Sequence, residues 1–304
     1  METFYSLTSI HSSVDSITIG FFDGCHLGHK KLLSVLSSYP GSSGIITFDS
    51  HPRAILQSPT PKLITNTKER ILLLQDFSID YLCILPFTQS FADKSAESFI
   101  LSLHQTLGCK RLILGYDSRL GKGGEGNAQT LQPLADSLGI EIIEVPPYKI
   151  DNEIVSSKRI RQFLVQGDLD NANRHLGHSY KYVGKIETGY GLGTQLGVAT
   201  INLPQEQCLL PYGVYACEIE HQAKVYQGIM NIGEAPTVER NSLCLEAHLF
   251  DFSGDLYGEI VSVIPKKFLR QEERFPSQED LSQAIRTDIN NAKAFFSTSC
   301  ARKA

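Results

Sequence analysis

The sequence predicts two domains of different class: an α/β domain on a doubly wound parallel sheet, then a small antiparallel β-barrel with a C-terminal helix. Three observations carry this. The first half alternates short apolar runs with helical stretches. Those runs are apolar throughout rather than at every second residue, the mark of strands covered on both faces. After residue 177 the pattern changes to short strands punctuated by turns, with one amphipathic helix near the end.

In order, the first-half strands are "SITIGFF" (16–22), "GIITFD" (44–49), "YLCILPF" (81–87), "KRLILGYD" (110–117) and "EIIEVPPY" (141–148). Between them lie the helical stretches 30–38, 67–77, 95–108 and 129–139. Right-handed crossovers then put the ligand crevice at the carboxyl ends of the strands, where the polar clusters "DGCHLGH", "DSHP" and "GYDSRLGKGGEG" fall. "SSKRIRQFLVQGDLDNANRHLG" (156–177) reads as one or two helices closing this domain, so the domains are expected at 1–178 and 179–304. Beyond come strand candidates at 180–187, 213–220, 224–233, 244–252 and 259–265, then a helix over 280–296. Closure into a barrel would remove the edges that an open sheet must protect.

With 304 residues, 41% of them hydrophobic, each domain can bury a core of ordinary size. The formal charge of −5 supplies no basic field for nucleic acid or an anionic membrane. No apolar run reaches the roughly 20 residues of a spanning helix, and "METFYSLTSIHSS" has no basic leader, so a cytoplasmic protein is expected. Seven scattered cysteines without a CxxC pair fit reduced thiols, with Cys25 a spacer. No feature of the chain fixes an oligomeric state.

The chemistry concentrates in "GFFDGCHLGH" (20–29). Gly20, Phe22, Asp23 and Gly24 leave the first strand, and His26 and His29 stand three apart where a helix begins, on one face. Free N–H groups at a helix start favour phosphate, and imidazole donors beside them stabilise charge on a phosphoryl group. A metal site is the alternative for such a pair, but no third histidine or cysteine ligand stands close by in sequence. His51 in "DSHP", Asp117 and Arg119 in the glycine-rich loop, and Ser156, Ser157 and Arg159 in "SSKRIR" are further ligand candidates. That glycine-rich loop reads as mobile.

"GFFDGCHLGH" resembles the G-x-F-D-G-x-H-x-G-H signature of nucleotidyltransferases. Together with "TFDSHP", "GYDSRLGKGGEG" and "VSSKRIRQFLVQGDLDNANRHLG", it resembles the bacterial bifunctional riboflavin kinase/FAD synthetase family over essentially the whole chain. The resemblance implies a Rossmann-like first domain that transfers AMP from ATP to FMN, giving FAD and pyrophosphate. It implies that His26 and His29 contact the ATP phosphates, with Ser156, Ser157 and Arg159 holding the triphosphate.

The same resemblance implies that the barrel phosphorylates riboflavin with ATP. The family's G-[FY]-P-T-A-N stretch is represented by "GYGLGTQLGVATINL", where Gly193, Gly197, Thr200 and Asn202 match. Thr200 and Asn202 are then implied ligands of Mg²⁺, a role that suits their hard oxygens. Val198, Ala199 and Ile201 depart from the pattern, as do Leu192, Thr194 and Ala235 at usual arginine positions. "NIGEAPTVERNSLCLEAHLFDFSGDLYG" resembles the family's second kinase stretch, with Asn231 a binding residue and Glu246 the base for the attacking hydroxyl. Alternation puts Glu246, His248 and Phe250 on one strand face. The alternatives are an adenylyltransferase with a weakened kinase, and a non-catalytic flavin or nucleotide binder.

Overall fold

The structure is a computed structural model of the 304-residue chain, and it describes all residues except 57–59, 188–199, 237–240 and 302–304. The side chains of 234–236, 241–242 and 299–301 also lie outside the description. The chain divides into two compact units, Met1–Arg159 and Ile160–Ala304.

The first unit is a six-stranded parallel sheet. Its strands are β1 (Glu2–Phe4), β2 (Ser16–Ile19), β3 (Ser43–Phe48), β4 (Tyr81–Leu85), β5 (Arg111–Gly115) and β6 (Glu141–Val145). Their order is β1-β4-β3-β2-β5-β6. The connecting helices are α1 (Leu27–Ser38), α2 (Pro52–Leu56), α3 (Thr67–Gln75), α4 (Gln89–Ala92), α5 (Ala96–Leu107) and α6 (Ala128–Leu138). β7 (Lys149–Ile150) and β8 (Glu153–Ile154) form a small hairpin ahead of α7 (Ser157–Val165), within which the division between the two units falls.

Alternate residues of each strand feed two cores. Ile17, Ile19, Ile46, Leu112 and Leu114 pack with Phe99, Ile100 and Leu103 of α5 and with Leu131 and Ala135 of α6. Ile45, Leu82, Ile84 and Ile113 pack on the other side with Leu32, Leu33 and Leu36 of α1 and Leu74 of α3. Helices therefore cover both faces, and each fully buried leucine contributes about 1.5–3 kcal/mol. β2 and β5 are neighbours whose chains leave toward opposite edges, so the switch point of this sheet lies between their carboxyl ends.

The second unit opens with the rest of α7 and α8 (Leu169–Leu176), followed by an antiparallel sheet. Its strands are β9 (Tyr182–Lys185), β10 (Thr200–Pro204), β11 (Gly213–His221), β12 (Lys224–Pro236), β13 (Asn241–Leu249) and β14 (Ile260–Arg270). The order is β10-β13-β12-β11-β14-β9, and a bridge between Glu187 and Asn202 brings the ends together, with Glu187 N–H donating to the Asn202 carbonyl at 3.0 Å. The sheet is thus a near-closed barrel. Leu245, Ala247 and Leu249 are buried in it.

The C-terminal helix α9 (Gln278–Ala301) covers an outer face, packing Ala292 and Phe296 on Val214, Ala216, Ile229 and Phe250. Arg270 at the end of β14 fixes it through Nε and Nη2, which donate to the Asp288 carboxylate at 2.8–3.1 Å. This compact unit starts at Ile160, ahead of the expected boundary at 178/179, because α8 packs on β14 and the Asn173 side chain accepts from Tyr180 N–H at 2.6 Å.

Candidate functional sites

At the carboxyl end of β2 the chain makes a tight turn. Phe22 is left-handed (φ 59°, ψ 33°), and Gly24 (φ 77°) and Cys25 (φ 39°) also have positive φ. Such backbone costs free energy outside glycine and persists only where its surroundings enforce it. The enforcement comes from Asp23, which is buried. Its carboxylate accepts from Ile64 N–H (2.9 and 3.1 Å) and Thr65 N–H (3.1 Å), and Thr65 Oγ1 accepts from Gly24 N–H at 3.0 Å. Asp23 is therefore a clamp on the segment leading into α3 rather than a free carboxylate facing ligand.

His26 is the N-cap of α1. Its Nδ1 accepts from His29 N–H at 3.3 Å, which leaves the proton of a neutral ring on Nε2. The two imidazoles stack, with centroids 3.6 Å apart and planes 14° from parallel. A Cβ on Gly28 would lie 3.1 Å from the His26 ring, so any larger residue there would press on the stacked pair. The His29 ring also meets Phe22 edge-on at 5.2 Å, and its Nδ1 is buried without a partner among the described residues. Burial, then the neighbouring His26, hold its pKa well below the ordinary imidazole value, so it is neutral at pH 7. His29 is therefore a neutral ring that can offer one N–H donor and no charge.

The start of α7 docks on the same turn. Ser157 Oγ donates to the Asp23 carbonyl at 3.0 Å, and Ser156 Oγ accepts from Arg159 N–H at 3.4 Å. Two helix N-termini, those of α1 and α7, therefore meet at the end of β2, an arrangement that favours an anion. Arg159 is ion-paired with Glu153 of β8. His51 follows β3, and its ring meets Phe21 edge-on at 4.7 Å.

Asp117 and Arg119 are exposed after β5, across the switch point. Their loop, expected to be mobile, is tied down. Leu120 and Gly126 exchange backbone hydrogen bonds at 2.8 Å, and Glu125 accepts from Ala96 N–H at the start of α5.

In the barrel, β-register aligns the second constellation. Asn202 of β10 is opposite Glu246 of β13, which is opposite Asn231 of β12, so the three share one row on one face. Thr200 and His248 form the adjacent row on that face. The face is the outer one, beside α9, where Thr200, Asn231, Glu246, His248 and Arg270 line a cavity of about 580 Å³. Burial raises the Glu246 pKa, which makes the ionised carboxylate a stronger base. Glu272, in the strap between β14 and α9, accepts from Asn231 Nδ2 at 3.1 Å. Gly193 and Gly197 lie outside the described residues.

Sequence reasoning missed Arg70, Thr65, Glu153 and the strap residue Glu272. Arg70 sits in "TKERILLLQ" beside Lys68 and Glu69, where it reads as one more surface charge; Thr65 and Glu272 have partners some forty residues away, and Glu153 pairs with Arg159 across the short β8–α7 turn.

Residues 9–159 match the family model described as FAD synthetase, and residues 176–296 the model described as riboflavin kinase. The bifunctional riboflavin kinase/FMN adenylyltransferase of Haemophilus influenzae is 32% identical over 93% of this chain and 94% of its own length. The protein of that name from Buchnera aphidicola subsp. Schizaphis graminum is 33% identical over 96% and 97%. The Escherichia coli K12 protein is 33% identical over 92% of each chain. A solved structure described as a macrolide-efflux protein from Streptococcus pneumoniae superposes with TM-score 0.81 at 28% identity, covering 94% of this chain and 96% of that one. Among the described residues no helix is long and apolar enough to cross a membrane. Two domain models in the order of the two units, and relatives of one name alignable nearly end to end, place the chain in the bifunctional riboflavin kinase/FMN adenylyltransferase family.

Proposed function

We propose that this chain makes both flavin cofactors: it phosphorylates riboflavin to FMN in the barrel, and it transfers AMP from ATP to FMN in the parallel-sheet domain, giving FAD and pyrophosphate. The supporting observation is that one chain holds the stacked histidine pair at the switch point and the Asn202–Glu246–Asn231 row on the barrel, each in the unit whose family model matches. We assign the activities to residues 1–178 and 179–304 and place the protein in the cytoplasm, where six cysteines, free among the described residues, would stay reduced.

For adenylyl transfer, two anions must approach each other, so the site supplies position and donors more than covalent chemistry. His26 Nε2–H and the neutral His29 ring donate to the ATP phosphates, and the starts of α1 and α7 add their backbone dipoles. Arg159 exchanges Glu153 for the triphosphate. Phe22 and the turn Gly20–Gly24 keep bulk away, while His51, Asp117 and Arg119 border the acceptor.

In the barrel, Glu246 takes the proton of the ribityl hydroxyl as that oxygen attacks the γ-phosphate of ATP. Asn231 orients ligand beside it. Thr200 and Asn202 present oxygens two residues apart on one face, a hard donor pair fit to hold Mg²⁺. When bound, that ion would screen charge on the phosphates.

The test uses the full chain with each reaction assayed alone. His29→Ala should abolish FAD formation from FMN while riboflavin phosphorylation survives, and Glu246→Ala should do the reverse. Loss of both reactions from either substitution refutes two independent sites. A wild-type chain that makes FAD from FMN but no FMN from riboflavin leaves adenylyl transfer alone.

A further inference from the structure

The first unit buries one arginine completely. Arg70, on α3, has no exposed surface, and its guanidinium lies 3.9 Å from the Phe21 ring centroid. Nη2 donates to the Phe48 carbonyl at 2.6 Å, while Nε and Nη1 are buried with no partner among the described residues. Phe21 follows β2 and Phe48 ends β3, so this side chain links the carboxyl ends of two adjacent strands. The other side of the link is functional ground: Phe21 meets His51 edge-on, and its carbonyl accepts from Thr47 Oγ1 at 3.3 Å.

The placement follows from the FDG turn. Asp23 clamps Ile64 and Thr65, Asn66 caps α3 in a reciprocal pair with Glu69, and Arg70 is the next residue. Burial lowers its pKa to about 10, against the pull of Asp23 and Asp49, so it remains a cation at neutral pH. An apolar side chain would fill this volume without desolvating a charge, so packing alone does not call for a guanidinium. A planar group that stacks and donates at once does.

We propose that Arg70 is a positioning residue for adenylyl transfer: by stacking on Phe21 and holding the Phe48 carbonyl, it fixes the floor on which His51 and the FDG turn stand. The proposal rests on the reading that this domain transfers AMP to FMN.

The test is steady-state kinetics of both reactions on the full chain, with riboflavin phosphorylation as the internal control. Arg70→Met should lower kcat for FAD formation about tenfold, with the KM for ATP within about twofold and riboflavin phosphorylation unchanged. Phe21→Leu should lower it similarly, and the double variant should be no slower than the slower single one, because both act through one contact. Arg70→Lys, which keeps charge without the plane, should not rescue. A kcat within twofold of wild type in Arg70→Met, or losses that multiply in the double variant, overturns the proposal. If Arg70→Met fails to fold the first unit, wild-type kcat in both Phe21→Leu and Arg70→Lys overturns it equally. A wild-type chain that makes no FAD, or a His29→Ala chain that still does, defeats the underlying reading instead.

Discussion

Replacing Asp23 by asparagine separates a clamp from a ligand contact. The native carboxylate accepts two backbone N–H groups at 2.9–3.1 Å in a buried setting. In Asp23→Asn one oxygen becomes an NH₂ group facing the Ile64 N–H, and the remaining bonds lose their charge assistance. A charge-assisted hydrogen bond contributes about 1.5–3 kcal/mol and a neutral one about 0.5–1.5, so two downgraded bonds cost roughly 2 kcal/mol. The buried Arg70 loses a nearby countercharge, adding about 1 kcal/mol. A loss of about 3 kcal/mol in a unit of this size lowers its midpoint by roughly 6–12 °C. The chain has no tryptophan, so the convenient readout is residual activity after a heat step. FAD formation should be lost at lower temperature than in wild type, while the riboflavin kinase curve stays in place. An unshifted curve together with a raised KM for ATP would refute the clamp and make Asp23 a ligand residue.

Three further outcomes follow from the geometry. The β11–β12 hairpin turns on Gln222 and Ala223, both at positive φ (46° and 63°), so Ala223→Gly should stabilise the barrel by about 0.5 kcal/mol in thermal denaturation: relief of about 1 kcal/mol less the added chain entropy. Native His29 resists protonation that the unfolded chain accepts below about pH 6.5; stability of the first unit should therefore fall on acidification by at most about 1.4 kcal/mol per pH unit from this group. His29→Gln should flatten that slope in urea midpoints measured at two pH values. Because burial raises the Glu246 pKa, the acid limb of riboflavin phosphorylation should lie above the ordinary carboxylate range, and a limb at or below about 4.3 would contradict the base assignment.

Strong periodic segments were legible from the sequence, and so was the histidine pair, because strand, turn and helix start are contiguous at 16–38. β1 was not, since three residues carry no period and pair with β4 nearly eighty residues on. The β7–β8 hairpin was missed for the same brevity, although Asp151 and Asn152, both at positive φ, suit its two-residue turn. Alternation in "CLEAHLFDF" puts Glu246 and His248 on one strand face, but that this face is the outer one, and that Glu246 shares a row with Asn202 and Asn231, are properties of closure and register, which no single strand encodes. Arg70 was invisible because its partners, Phe21 after β2 and Phe48 at the end of β3, lie more than twenty residues away in sequence. By its motif neighbours Asp23 reads as a ligand contact, whereas its own partners, Ile64 and Thr65, lie some forty residues away.

The near-closure of the barrel carries a consequence for its exchange behaviour. β10 is held along one side by a full ladder to β13, but on the other, among the described residues, by the single bridge from Glu187 to Asn202. Opening of a protein starts where the fewest bonds must break together. The amide of Glu187 should therefore exchange with solvent earlier than those of the β11–β12 ladder, and the strand that frees itself first is the one bearing Thr200 and Asn202. Ligand held by those two side chains would knit the seam shut, so protection at Glu187 would report occupancy of the site proposed there.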